Sequence, residues 1–146
     1  MRGGADGEMF WVGTEDTGGY GMMDKNGDVW PVFHAKKLCA RYIRYGDWIS
    51  FPECERQDVD AVVARGAKGR HSALLVHLAG EPATYAVAEL DPRLADCGIL
   101  LKMDEGTGNQ VMQGSCNGMV AFEGYGVAVV TNATAGADDD DHMSVP

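Results

Sequence analysis

Positive charge is scarce in this chain. Lys and Arg number 12 of 146 residues against 22 Asp and Glu, a net charge of −10. Such a chain has no diffuse positive field with which to hold polyanions non-specifically, so any phosphate contact must come from a local basic face. Long apolar runs are also missing. The longest uncharged stretch, Gly106 to Phe122, is broken by Asn109, Gln110, Gln113, Ser115 and Asn117, and no membrane-spanning helix is expected. Cys39, Cys54, Cys97 and Cys116 form no C-x-x-C, and His34, His71, His77 and His142 do not join them at zinc-ligand spacing, so no metal site is expected. There is no Gly-x-Ser-x-Gly, His-Glu-x-x-His or Walker loop, and Gly106-Thr107-Gly108 misses the dinucleotide fingerprint. Asp104-Glu105 is read as a turn with solvated acids, because neighbours on a strand point to opposite faces. No catalytic residues, no cofactor and no enzymatic activity are expected. The first eight residues carry no apolar run, so a secretory leader is not expected. The cysteines then read as reduced, buried thiols of a cytoplasmic or nuclear protein.

What charge there is has been segregated. Residues 1–80 hold ten Lys/Arg and eleven Asp/Glu, whereas residues 81–146 hold two and eleven. The run Asp138–Asp141 marks residues 133–146 as an acidic tail expected to be disordered. Conversely, no acid occurs from Val29 to Gly46, where Lys36, Lys37, Arg41 and Arg44 lie, nor from Ala61 to Gly80, where Arg65, Lys68 and Arg70 lie.

Short β-prone runs dominate the pattern. Met9–Val12, Tyr20–Met23, Val29–His34, Trp48–Phe51 and Ser72–Leu78 are predicted strands, and Asn26-Gly27 supplies a type I′ turn between two of them. Pro31 cannot donate to a ladder, which makes Val29–His34 an edge strand or one bulged at that point. Leu38, Tyr42 and Tyr45 at i, i+4 and i+7 predict a helix over Ala35–Arg44, stopped by Gly46. Glu53 to Gly69 reads as a long loop with room for a strand around Val59–Val63. Further apolar runs follow at Tyr85–Leu90, Gly98–Met103, Gln110–Met112, Met119–Phe122 and Val127–Thr131, with Asn117-Gly118 as a second hairpin turn. The fold class is all-β.

In order and spacing these pieces resemble the cold-shock domain, a five-stranded OB-fold barrel. Trp11 stands for that family's first-strand Trp and Gly19-Tyr20-Gly21-Met22-Met23 for its second-strand motif. Asp28-Val29-Trp30-Pro31-Val32-Phe33-His34 stands for its third strand, Tyr45-Gly46-Asp47-Trp48-Ile49-Ser50-Phe51 for its fourth and Ser72-Ala73-Leu74-Leu75-Val76 for its fifth. The resemblance covers residues 8–80. It implies an OB-like, cold-shock-like barrel there, a β-rich extension or second small barrel over 81–132, and the tail beyond. Phe10 and Met22 depart from the pattern, standing where the family has a lysine and an aromatic.

The function implied is non-catalytic binding of single-stranded nucleic acid, RNA before DNA, on an aromatic face. Each stacked base would contribute about 1–3 kcal/mol. The expected platform is Trp11, Tyr20, Trp30, Phe33 and His34, with Lys36, Lys37 and Arg41 on phosphate. The alternative, which the two departures favour, is a barrel that has lost RNA and serves as a protein-interaction module.

Overall fold

The computed structural model describes residues 22–133 apart from Glu55 and Asn109. The expected strand Met9–Val12, the first half of Tyr20–Met23 and nearly all of the acidic tail lie outside the described residues.

Asp24 organises the first turn. Its Oδ1 accepts the backbone N–H groups of Asn26 and Asp28, at 2.8 and 2.9 Å, and Gly27 takes a φ of 88°. A turn is present, but not the expected type I′ turn: Asn26 is not at positive φ, the Gly27 N–H closes the turn on the Asp24 carbonyl at 3.1 Å, and the only pairing that follows is a single bridge, Met23 to Val29. The predicted strand Val29–His34 does not continue. Helix α1 occupies Pro31–Tyr42 instead, capped by Trp30 in an extended conformation. Proline's missing N–H costs nothing at the first helical position, and its ring forces the residue before it out of the helical region. Pro31 thus starts a helix rather than marking an edge strand. Leu38 and Tyr42 are buried one turn apart as expected, but the helix ends three residues before Tyr45, which is fully exposed. Gly46, at φ 85°, belongs to the next turn, closed by the Asp47 N–H donating to the Arg44 carbonyl at 3.1 Å.

Beyond the helix the chain builds an open antiparallel sheet. Its strands are β1 (Trp48–Ser50), β2 (Val59–Arg65), β3 (His71–His77), β5 (Ile99–Asp104), β6 (Met112–Ser115) and β8 (Gly126–Thr131), in spatial order β1-β2-β3-β8-β5-β6. A two-stranded sheet of β4 (Ala83–Ala86) and β7 (Met119–Phe122) lies against one face. The protein is β-rich with one helix, and its large sheet does not close into the expected barrel. β2 comes from the segment read mainly as a loop. β3 pairs with β2 on one side and with β8 on the other, so strands from before and after residue 80 share one sheet. Asn117-Gly118 is not a hairpin turn either, because it carries the chain from β6 in one sheet to β7 in the other.

Period-2 alternation divides the core in two. Val59, Val63, Ala73, Leu75, Ala128 and Val130 face Tyr85, Val87, Leu94, Val120 and Phe122 from the small sheet and its adjoining 3-10 turns. Leu101, Met103, Val127 and Val129 point the other way and receive Leu38 and Tyr42 of α1. β3 and β8 are covered on both faces, which explains their nearly continuous apolar sequence. β1 and β6 are left as the two edges.

Candidate nucleic-acid interface

The expected platform does not assemble. Trp11 and Tyr20 lie outside the described residues. Trp30 caps α1 with its indole N–H buried and unpaired, while Phe33 and His34 sit half-buried in the first helical turn, edge to face at 5.7 Å. These three are helical or helix-capping residues and share no strand face. Lys36 is half-buried; Lys37 and Arg41 are exposed one turn apart on the helix surface. Stacking requires aromatic faces open to a base, and the first turn of α1 does not offer them.

Open aromatics occur elsewhere. Tyr45 is 102% exposed, Trp48 53% and Phe51 38%, three rings within seven residues at the β1 edge. Tyr45 rides on the turn into β1, and that turn is pinned from below. Buried Arg70 ion-pairs with Asp47 and donates to the Tyr42 carbonyl at 3.1 Å, while Asp47 accepts the Arg44 N–H at 2.8 Å. Alternation puts Trp48 and Phe51 on opposite sides of the strand, so the three rings wrap the edge rather than forming one plane.

Trp48 has the most developed surroundings. Its register partner on β2 is Arg65, whose guanidinium carbon lies 4.2 Å from the ring centroid. Arg65 is held there by Asp91, whose Oδ2 accepts Nε at 3.2 Å and Nη2 at 2.7 Å. Asp91 also caps the 3-10 turn Pro92–Asp96 by accepting the Arg93 N–H at 3.0 Å, and the Arg93 guanidinium stands 3.8 Å away. Burial alone would push the Asp91 carboxyl up. The Arg93 N–H and the Arg65 guanidinium outweigh that and hold it below the ordinary carboxylate range. Two guanidinium groups thus stand against the Asp91 carboxylate beside an open indole. Trp48–Phe51 is a predicted strand, and Pro52, directly after it in the sequence, either ends such a strand or sets it at an edge. That Arg65 would lie across from Trp48 was not legible there, because the segment carrying it reads as a loop.

A second polar cluster lies beside β3. Phe122 stacks on buried His77 at 5.3 Å, and the Tyr85 hydroxyl meets His77 Nδ1 at 2.7 Å while Nε2 donates to the Glu81 carbonyl at 2.9 Å. Above it Arg56 lies 4.8 Å over the Tyr85 ring and pairs with Asp58, whose carboxyl it holds down at about 2. A cleft of about 460 Å³ opens here, lined by Glu53, Cys54, Arg56, Gln57, Val59, Asp60 and Leu78. Burial pushes the Tyr85 phenol up, away from ionisation, and His77 has protein partners on both ring nitrogens, so the cluster reads as a braced end of the sheet.

Asp104, one of the adjacent acids, is wholly buried. It accepts the Thr107 and Glu123 N–H groups at 3.0 Å and ion-pairs with Lys102 at 2.9 Å, closing a capping box with Thr107. The turn expected at Asp104-Glu105 is present, but its first acid is not solvated. Among the described residues no three His, Cys, Asp or Glu side chains are grouped to hold a metal ion, and no helix is long and apolar enough to cross a membrane.

No family model matches this chain, and no curated protein matches it. The likeness to the cold-shock domain rests on the motif residues quoted above.

Proposed function

We propose that this protein binds single-stranded nucleic acid, RNA before DNA and without catalysis, along the β1 edge rather than on α1. The observation that carries the reading is Trp48: an exposed indole with one face covered by Arg65, whose partner Asp91 is shared with a second guanidinium, Arg93. A base presents a π-face to the open side of such a ring whatever its identity, and a stacked guanidinium neighbours the phosphates that follow. Tyr45 and Phe51 flank the site, and Lys37 and Arg41 on α1 offer phosphate contacts further along. In an acidic chain this local arrangement gives weak, salt-sensitive binding. A cytoplasmic or nuclear protein would meet such a ligand.

The test is fluorescence anisotropy of a labelled single-stranded 20-mer at about 50 mM salt, where the electrostatic contribution is large. Trp48→Ala should cost about 1–3 kcal/mol, or roughly 5- to 150-fold in Kd. Lys37→Ala and Arg41→Ala should weaken binding equally for all sequences and reduce the salt slope. No measurable affinity at that salt, or wild-type affinity in the Trp48 variant, would overturn the proposal. The second reading, a protein-interaction module, draws on a different feature: the uncharged strand at the opposite edge of the sheet.

A further inference from the structure

The two edges of the large sheet are protected very differently. β1 is three residues long and Pro52 follows one residue after it, and shortness and proline both blunt an edge. β6, at four residues, is barely longer, but no proline lies in it or beside it. All four of its residues, Met112-Gln113-Gly114-Ser115, are exposed, and among the described residues nothing pairs with its outer side. It also lies within the longest uncharged stretch of the chain, Gly106–Phe122.

The pairing with β5 fixes which backbone groups point outward. The register sets Ile99 opposite Ser115, Leu100 opposite Gly114, Leu101 opposite Gln113 and Lys102 opposite Met112. One residue further, the Cys116 N–H donates to the Gly98 carbonyl at 2.9 Å. Hydrogen-bonded pairs alternate along an antiparallel ladder, so Met112 and Gly114 direct their N–H and C=O groups to β5. Gln113 and Ser115 direct theirs outward, into solvent.

We propose that β6 pairs with β6 of a second copy of this chain, antiparallel about a two-fold axis, extending the sheet across the dimer. The proposal stands independently of the nucleic-acid reading. In the self-pairing centred on Gly114, Gln113 of each copy faces Ser115 of the other, so the outward donors and acceptors of both strands meet one another. The Gly114 residues then oppose each other on the axis with no side chain between the backbones. Met112, 57% exposed and on the same strand face as Gly114, is placed to cover that bare segment. Charge selects the occupant. Two copies of net charge −10 repel over most of their surfaces, and an uncharged strand is where they can approach without setting like charges opposite one another. A strand pair of this length buries less than the roughly 1,200 Å² of a stable interface, so the dimer is weak and reversible.

Sedimentation velocity of the full chain over about 10–300 μM tests this, at about 50 and 500 mM salt, which shorten the screening length from about 14 to 4 Å. A monomer–dimer equilibrium is expected, tightening at the higher salt as the repulsion between copies is screened. Gln113→Pro removes an outward N–H and leaves the β5 ladder intact. Gly114→Glu sets two carboxylates face to face on the axis, and in the monomer a Cβ at Gly114 meets nothing within 4 Å. Each variant should weaken the dimer at least tenfold with an unchanged circular dichroism spectrum and melting temperature. A chain that stays monomeric at 300 μM in both salts, or a dimer indifferent to both folded variants, would overturn the proposal. Should one variant misfold, the other carries the test.

Discussion

Asp91→Ala would test whether the Trp48 patch is built as described, because one carboxylate holds both the arginine that stacks on the ring and the turn that follows. Three hydrogen bonds end on it: the Arg93 N–H at 3.0 Å, Arg65 Nε at 3.2 Å and Arg65 Nη2 at 2.7 Å. Loss of an N-cap acceptor costs about 1 kcal/mol. Loss of the charge-assisted bonds to Arg65 would cost about 1.5–3 kcal/mol if the guanidinium were then stranded. Arg65 is one-third exposed, however, and can recover much of its hydration, so about 1–2 kcal/mol is the reasonable share. The sum is about 2–3 kcal/mol, or a fall in Tm of roughly 5–10 °C for a chain of this size. Asp91→Asn keeps a cap acceptor and loses only the charge, so it should cost about half as much. Urea unfolding at pH 7, followed by circular dichroism, measures both variants. An alanine variant within 0.5 kcal/mol of the parent would refute the reasoning, since it would mean that neither the cap nor the ion pair is held in solution.

Two further outcomes follow from the same groups and their neighbours. Asp91 and Asp104 are both held below the ordinary carboxylate range, burial opposing and the cationic and N–H partners prevailing, so each favours the folded state above its unfolded pKa of about 3.9. Stability from these groups should be flat from pH 7 to about 5 and should fall as pH drops through about 4 and below; Asp104→Asn should flatten that acid limb, and an unchanged limb would count against it. Burial pushes the Cys97 thiol up to about 11, with Cys116 and Asp96 adding to it, so native protein at pH 8 should be alkylated at Cys97 last of its thiols. Peptide mass spectrometry after brief iodoacetamide treatment reads that order, and early modification of Cys97 would contradict the packing around it.

What was legible in the sequence follows from what periodicity encodes. Ser72–Leu78 and Val127–Thr131 were readable because strands covered on both faces carry near-continuous apolar runs, and that is where β3 and β8 lie. β2 was read mainly as a loop because Asp58 and Asp60 lie among small residues. Val59, Ala61 and Val63 nonetheless alternate inward with Asp60 outward, a period-2 pattern too weak in hydrophobicity to stand out. Pro31 was misassigned because one residue type serves two positions, strand edge and first helical turn. The choice between them depends on whether Leu38 and Tyr42 have a sheet to cover, which is a tertiary fact. The site was missed for a similar reason. Alternation put Trp48 and Ile49 on opposite faces, but local pattern cannot say which face a distant segment will bury. Arg65 reached Trp48 through the β1–β2 register, and Asp91 reached Arg65 from 26 residues further along the chain.

The two proposals, nucleic-acid binding at β1 and self-pairing at β6, call for opposite salt dependences, and distance would decide whether the two events influence each other. Five strand spacings separate β1 from β6, about 24 Å along the sheet. Nucleic acid bound at β1 adds negative charge to each copy, and that charge opposes pairing at β6 wherever it is felt there. At physiological ionic strength the screening length is about 8 Å, a third of the separation, so a bound strand leaves the dimer nearly untouched. At about 10 mM salt the screening length grows to about 30 Å, longer than the separation, and each event then weakens the other. Coupling confined to low salt would therefore arise from charge alone. Coupling that persisted at 150 mM would require a contact between the edges that the sheet does not provide: a strand long enough to span both, or a rearrangement of the sheet between them.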